Sequence, residues 1–451
     1  MAGRTHDPNE TQTVSFEHQP VTDQPFENAL AKARAGDRLD VEDAVSLLTT
    51  GTDTDGIDPV RKEQVLEVAD RRRAEVVGDA VTFVVNLNNN VTTACNTGCL
   101  FCNFKDPATA FETTGTSDHG GFTRTPEESR RIVDDALDLG ISEVCSVSGL
   151  HPAFALDDDH LEVLLSHDDP ASVNFRPPSA YEVDPGTYCE QIMAMSLDGV
   201  HVHSMTPEEA AHARRGWDIS YEAVYRRLAD AGLDSVPGTA AEILVDEVRD
   251  VICPGKIDSA GWVAAMEAAA SVGLDTTATI MYGHVENERH RAMHLEVVRD
   301  LQDRTGAITE FVPLSFVHYD TPLFDRGLVS GGASRDEDEL MMAVSRLFLD
   351  NIDHLQSSWV KFGDSFGLQL LSCGADDFMG TVLSEEITKR AGGRYGEVRT
   401  VEQYVDMIAS IGRVPVERST DYTRRRVIDP ADTPHGPTLG PRATGAPMFP
   451  T

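Results

Sequence analysis

The sequence predicts an α/β protein: a parallel TIM-type (β/α) barrel with a helical extension before it and a helical segment after it. Three observations predict this. Short β-rich runs alternate with amphipathic helical patterns across residues 81–362, the rhythm of a parallel sheet with crossover helices. Most runs end in small or polar residues, where a barrel of this kind gathers its reactive groups. The 451-residue chain is also long enough to bury one barrel plus extensions.

Residues 1–25 are polar and carry Pro8, Pro20 and Pro25, the composition of a disordered lead. Helical periodicity begins at Phe26, Leu30 and Ala33. A second helix is expected over Val41–Leu48 with Asp40 as its cap, and a third over Pro59–Val77. These helices fill residues 26–80 and read as scaffold beside the main domain. Val81-Thr-Phe-Val-Val-Asn-Leu87 then opens the barrel. Thr125-Pro126-Glu-Glu starts a helix that Gly140 stops.

Further strands are expected at Ile141–Val147, Ser172–Phe175, Gly199–His203, Gly232–Val236, Asp275–Met281, Ile308–Leu314 and His354–Val360. Helices are expected between most of them, at Tyr221–Ala231, Ala260–Val272, Asn287–Thr305 and Asp336–Asn351. The stretch 166–197 is longer than a helix and a turn require, and reads as a lid or an insertion. Residues 363–428 read as a helical segment, with helices at Phe366–Leu371 and Thr400–Ile411. A Pro- and Gly-rich tail, 429–451, reads as disordered.

The balance of 38 Lys+Arg against 75 Asp+Glu gives a net charge of -37, and only six of the cations are lysines. Such a surface resembles that of proteins from extreme halophiles, where molar salt screens the repulsion between carboxylates. It argues against nucleic acid, whose binding depends on basic surface. Four of the seven cysteines are scattered, which makes no disulfide framework. The N-terminus has no apolar signal core and no run is long enough to span a bilayer, so a reducing cytosol and no membrane partner are expected.

The first strand leads into Cys95-Asn-Thr-Gly-Cys99-Leu-Phe-Cys102. Three thiolates at this spacing can hold three irons of a [4Fe-4S] cluster on one short loop. The fourth iron is then open, whereas an electron-transfer cluster usually takes four thiolates. A structural zinc knuckle is the alternative. Zinc prefers four closed nitrogen or sulfur ligands, and the next Cys or His after Cys102 is His119. The loop resembles that of the radical S-adenosylmethionine superfamily. The resemblance implies that S-adenosyl-L-methionine seats its amino and carboxylate groups on the open iron. One electron then releases a 5'-deoxyadenosyl radical. It also places Phe101 near the adenine, and Ser148 and Gly149 beside the methionine ammonium.

Other strand ends carry candidates of their own. Glu242, in Pro237-Gly-Thr-Ala-Ala-Glu242, is placed to hold ribose hydroxyls. Tyr282, His284, Glu286 and His318 are candidates for substrate binding or proton transfer, His being the group that titrates near neutral pH. Trp359 reads as core or pocket wall. Many polar groups converging on one barrel mouth are costly to desolvate without a ligand.

Several longer stretches resemble one family. They are Val84–Cys95, Gly149-Leu-His-Pro152, Gly232–Leu244, Ile252-Cys-Pro-Gly-Lys256, Thr276–Glu286, Thr309–His318 and Ser358-Trp-Val-Lys361. The family is CofH, the tyrosine-using half of FO synthase, and the likeness runs over residues 26–420. It implies that the radical takes a hydrogen atom from L-tyrosine, whose side chain breaks from its α-carbon. The resulting 4-hydroxybenzyl-type radical adds to 5-amino-6-(D-ribitylamino)uracil, and a second enzyme, CofG, closes the deazaflavin ring. An electron donor for the cluster is implied as well. Arg176 is the candidate for the tyrosine carboxylate. Two alternatives stand beside this: a sister radical enzyme of the futalosine route to menaquinone, and a zinc-stabilised barrel with no catalysis.

Overall fold

The computed structural model describes residues 24–51, 56–113, 120–383 and 399–429. The expected disordered lead and tail lie outside these residues, apart from the two or three positions that border them.

The apolar run at Val81 serves two sheets. Its first half, β1 (Ala80–Val84), joins a four-stranded sheet. Its second half, β2 (Asn86–Asn88), opens a sheet of seven parallel strands. The division falls where Asn86 turns its amide to two partners. Its Nδ2 donates to Glu143 at 3.0 Å, and its Oδ1 accepts from the Val382 amide at 2.9 Å.

The seven-stranded sheet continues through β3 (Glu143–Ser146), β4 (His201–Ser204), β5 (Ser235–Val236), β6 (Asp275–Tyr282), β7 (Ile308–Ser315) and β8 (His354–Leu355), each beside its neighbour in sequence. Strand β6 is buried from Thr276 to Tyr282, as expected of a strand covered on both faces. The helices Tyr221–Asp230, Ser259–Ser271, Glu288–Thr305 and Arg335–Phe348 fall where periodicity placed them, within two or three residues.

The C-terminal segment, read from sequence as helical, also supplies three strands: β9 (Asp377–Gly380), β10 (Val414–Arg418) and β11 (Arg425–Val427). Strands β9 and β10 flank β1 in parallel, and β11 pairs with β10 antiparallel. A bridge between Gln356 and Asp377 carries the hydrogen bonding from the end of β8 to β9. From there it passes to β1, whose direct continuation is β2. The ring of backbone hydrogen bonds is thus completed by the C-terminal segment.

One expected strand is absent and another is cut short. Ser172–Phe175 lies in a turn of 3-10 helix at Pro170–Val173, followed by Asn174 in the left-handed region at φ 51°. The amides of Ser172, Asn174 and Phe175 are spent inside this turn, donating to the carbonyls of Asp169, Ala171 and Pro170. Only His354 and Leu355 of the run ending at Val360 are strand, and Trp359–Phe362 is a short helix. The stretch 166–197 continues into a helix at Tyr188–Met195, capped by Thr187 and Glu190.

The three N-terminal helices, Gln24–Ala35, Val41–Leu48 and Pro59–Val77, pack beside the barrel helices Glu288–Thr305 and Arg335–Phe348. Asp40 and Asp43 form a capping box at the second, and Asp58 caps the third, where Pro59 takes the first position. Lys62 reaches Glu339 at 2.6 Å and Asp336 at 2.7 Å, tying the third helix to the barrel.

Near the strands' N-terminal ends the interior holds a buried charge network. Arg418 lies 2.6 Å from Asp377 and 3.0 Å from Glu310, and the Tyr422 hydroxyl donates to Glu310 at 2.5 Å. Burial pushes the Glu310 carboxyl up to about 7, although Arg418 pulls it down. Removing one partner of a buried pair is strongly destabilising, because the other charge is left uncompensated. Arg418→Met should therefore cost about 3–5 kcal/mol of folding stability near pH 8. A carboxyl whose pKa is raised in the fold contributes most below its ordinary value and loses that contribution as pH rises to about 7. The deficit should therefore shrink toward about pH 5. Denaturant melts in molar KCl at both pH values check this, and an equal deficit at both would remove Glu310 from the account.

Candidate active site

The C-terminal ends of the barrel strands surround one cavity of about 220 Å³. Cys95, Cys99, Cys102 and Phe101 line one side of it. The loop that carries them is held from several directions. The Cys95 amide donates to the Asp106 carbonyl at 3.0 Å, the Leu100 amide to Ile252 at 2.8 Å, and the Leu323 amide to Leu100 at 3.0 Å. Lys105 Nζ donates to the Cys99 carbonyl.

Gly255 lies against this loop so closely that a Cβ there would stand 2.3 Å from the Thr97 carbonyl oxygen. Only glycine allows the Ile252–Lys256 turn to dock there. Cys99 is buried while Cys95 and Cys102 are half-buried. Burial pushes the Cys99 thiol up to about 12, partly offset by the Lys256 ammonium.

Three soft sulfur donors on one loop suit iron–sulfur chemistry. Among the described residues, no three His, Cys, Asp or Glu side chains converge on a point where a single metal ion could sit. A zinc knuckle needs such a point, whereas sulfurs on a cube belong to separate irons.

Beyond β3, the Ser148 hydroxyl accepts from the Val91 amide at 2.7 Å, clamping the run that leads into the cysteine loop. Gly149 donates to the Thr92 carbonyl at 2.8 Å, and a Cβ on it would meet the Ala94 oxygen at 2.5 Å. Both residues line the cavity, as sequence reasoning placed them.

Beyond β4 the wall carries two carboxylates that sequence reasoning missed, Glu208 and Glu209. Glu209 closes a capping box with Thr206 and accepts from the Ser148 amide at 3.3 Å. Burial pushes its carboxyl up to about 7. Glu208 accepts from the Ile257 amide at 3.2 Å, and burial raises its carboxyl too, against the pull of Lys256. Their signal was available: Thr206-Pro-Glu-Glu209 is a helix start placed directly after a barrel strand.

Glu242 lines the cavity and pairs with Lys256 at 2.6 Å, both nine-tenths buried. Burial works against the Lys256 ammonium, but the charges of Glu242, Cys99 and Glu208 outweigh it and hold the group protonated. Glu242 sits in the left-handed region at φ 50°. Such a residue persists where its surroundings over-determine it, here the Lys256 pair and a 2.6 Å bond from the Met281 amide to its carbonyl. Lys256 also stands 5.2 Å above the Phe101 ring, a cation–π contact that ties the pair to the cysteine loop.

The four proton-transfer candidates lie elsewhere. Tyr282 is fully buried and donates to Asp338 at 2.7 Å. His284 bonds the Met281 carbonyl at 3.0 Å through Nε2 and Glu286 at 2.9 Å through Nδ1. Glu286 also holds Arg291 at 2.9 Å. Burial alone would raise its carboxyl, but His284 and Arg291 hold it low. None of the three lines the cavity. Tyr282 and Glu286 turn from the end of β6 toward the neighbouring helices, while His284 is tied into its own turn with its ring edge-on to Phe316 at 6.0 Å; the three brace that strand end. The His318 ring lies 4.2 Å from that of Tyr319 and 5.3 Å from that of Phe324, tilted to both and also off the cavity wall.

His151 is buried edge-on to Tyr181 at 4.4 Å, so the long stretch 166–197 folds back on the Gly149–Pro152 turn. Burial lowers its imidazole to about 3. Trp359 is core, donating to the Gly380 carbonyl at 3.0 Å. Arg176 is half-exposed and paired with Glu112, away from the cavity.

Gly255→Ala should displace the cysteine loop without touching a sulfur. The expected result is at least a severalfold drop in iron bound per chain after anaerobic reconstitution, with the far-UV circular dichroism of the barrel retained. Wild-type iron content in this variant would break the link between the two loops.

Residues 89–298 match the radical SAM superfamily, and residues 305–431 match the CofH/MqnC C-terminal region. A protein of Haloarcula marismortui is 72% identical over 437 residues, covering 97% of each chain. One of Halobacterium salinarum is 69% identical over 435 residues, covering 96% of each. One of Methanoculleus marisnigri is 40% identical over 403 residues, 88% of this chain and 97% of its own. All three are named 5-amino-6-(D-ribitylamino)uracil–L-tyrosine 4-hydroxyphenyl transferase.

Among solved structures, the [FeFe]-hydrogenase maturase HydG has a TM-score of 0.58 at 15% identity, covering 87% of this chain and 76% of its own. Methylornithine synthase (PylB) has a TM-score of 0.56 at 15% identity, covering 86% of this chain and 97% of its own. These two share the fold. The sequence matches over nearly the whole chain go further: the chain belongs to the family of 5-amino-6-(D-ribitylamino)uracil–L-tyrosine 4-hydroxyphenyl transferases, within the radical SAM superfamily.

Proposed function

We propose that this protein joins the 4-hydroxybenzyl group of L-tyrosine to 5-amino-6-(D-ribitylamino)uracil, a step in making the deazaflavin FO. One observation carries the reading. A C-x3-C-x2-C loop opens on the barrel mouth of a chain 72% identical to a relative named for that transfer.

In this reading Cys95, Cys99 and Cys102 would hold a [4Fe-4S] cluster, with S-adenosyl-L-methionine bound beside it in the cavity. When bound, the pair supplies a primary alkyl radical able to abstract hydrogen. The chain's own residues do the rest. Ser148 and Gly149 border the place for the methionine group, Phe101 gives an aromatic face for the adenine, and Glu242 takes ribose hydroxyls. The Lys256 ammonium fixes Glu242 in one position, and Thr206 and Ser148 fix Glu209.

The rest of the wall is largely apolar, with Val147, Leu150, Met281, Leu314, Phe316 and Val317. An apolar wall suits radical chemistry. It keeps water and competing hydrogen donors from the reacting carbon while the substrates are held near contact. No helix among the described residues is long and apolar enough to cross a membrane. An electron donor for the cluster and a later ring-closing partner of the CofG type complete the reading.

The C-terminal region is shared with MqnC proteins, which keeps the futalosine-type enzyme as the second reading. One assay separates them. Anaerobic protein in molar KCl is given reductant, S-adenosyl-L-methionine, L-tyrosine and the diaminouracil. The coupled adduct is expected by mass spectrometry. Cys99→Ala should be colourless and make none. Turnover of a futalosine-type substrate with no adduct would overturn the assignment.

A further inference from the structure

We infer that Lys361 receives the carboxylate of the L-tyrosine substrate. The inference deepens the function proposed above and rests on it. The chain contains six lysines, and three of them, Lys105, Lys256 and Lys361, line the one cavity at the barrel mouth. No arginine lines it, although arginines make up most of the 38 basic residues. The same wall carries Glu208, Glu209 and Glu242, and Glu242 pairs with Lys256, so the place for a ligand's anionic group is argued from where each lysine stands.

The three lysines divide by place. Lys105 bonds the Cys99 carbonyl and Lys256 pairs with Glu242, so both belong to the cysteine-loop side. Lys361 lies beyond β8, on the short helix Trp359–Phe362. Its part of the wall continues into Leu314, Ser315, Phe316 and Val317 from the end of β7. A cation beside an apolar bed matches an aromatic amino acid: the ammonium meets the carboxylate and the bed meets the ring. The other substrate, an uncharged ribityl-bearing uracil, offers no carboxylate.

The backbone under Lys361 is fixed. Its amide donates to Ser358 at 2.9 Å, Trp359 is fully buried, and the Gly363 amide closes on Trp359 at 2.7 Å. A charged group on a rigid base is the arrangement that positions a substrate. Arg176, the candidate that sequence reasoning gave for this role, is bound to Glu112 off the cavity wall.

The test replaces Lys361 by Met, which keeps length and apolar bulk. Equilibrium binding of labelled L-tyrosine to the reconstituted protein should weaken by about ten- to a hundredfold, the range of a charge-assisted hydrogen bond. The visible spectrum of the cluster and the affinity for S-adenosyl-L-methionine should stay unchanged. Tyramine, which lacks the carboxylate, should bind wild-type and Lys361→Met protein equally. Lys361→Arg should recover part of the tyrosine affinity. Unchanged tyrosine binding, or an equal loss for tyramine, would overturn the inference. Absence of adduct from the wild-type protein would instead strike at the proposed function, so the two failures are distinguishable.

Discussion

Gly255 and the Thr97 carbonyl approach so closely that no side chain fits between them, and around that contact the active end is assembled. The cysteine loop is not part of the barrel sheet. It takes its shape from neighbours: the Ile252–Lys256 turn, the Asp106 carbonyl and the segment around Leu323. The same turn that presses on Thr97 delivers Lys256, whose ammonium balances Glu242 and faces Phe101. Sulfur donors, aromatic face and buried ion pair are therefore brought together where this turn docks on the loop, with the Asp106 and Leu323 bonds holding the loop's other sides. A loop with so few bonds of its own would otherwise sample many conformations, and thiolates sharing a cluster require a fixed spacing.

The opposite end of the barrel is governed by the C-terminal segment. Strands β9 and β10 complete the ring around β1, and Arg418 reaches inward to neutralise Glu310 and Asp377. Tyr422 stacks on His354 at 3.8 Å with nearly parallel rings, covering the start of β8. The two matched regions, 89–298 and 305–431, are joined by the pairing of β6 with β7 and by the Thr420 hydroxyl, which donates to the buried Glu143 at 2.7 Å. The second supplies the later strands, part of the seal, and the helix that bears Lys361. A barrel without it would leave Glu143 without Thr420 and β1 without either neighbour.

Much of this was legible in the sequence. The capped N-terminal helices follow local rules, since Asp40, Asp58 and Pro59 act within one turn of themselves. The cysteine loop, Phe101, Ser148, Gly149 and Glu242 share one cavity because spacing and position after a strand constrain where a short loop can go. Tyr282, His284 and Glu286 satisfied the same rule, yet Tyr282 and Glu286 bind Asp338 and Arg291 on neighbouring helices and His284 binds Glu286. Whether a polar side chain at a strand end turns to the mouth or to the outer helices depends on partners distant in sequence. The strands β9 to β11 were hidden for a related reason. They are only three to five residues long, and the pairing of β9 and β10 with β1 spans most of the chain.

The charge distribution joins these points. A net charge of -37 would repel an amino-acid carboxylate at low ionic strength. At about 1 M salt the screening length falls to roughly 3 Å, so exposed carboxylates exert little force across the protein. Buried charges are screened far less. Lys256 and its partners inside the wall therefore keep their full influence while the surface falls electrostatically quiet. In a saline solvent the field a ligand meets in the cavity is therefore set by the groups on its own wall, Lys105, Lys256 and Lys361 beside Glu208, Glu209 and Glu242, and not by the acid-rich exterior.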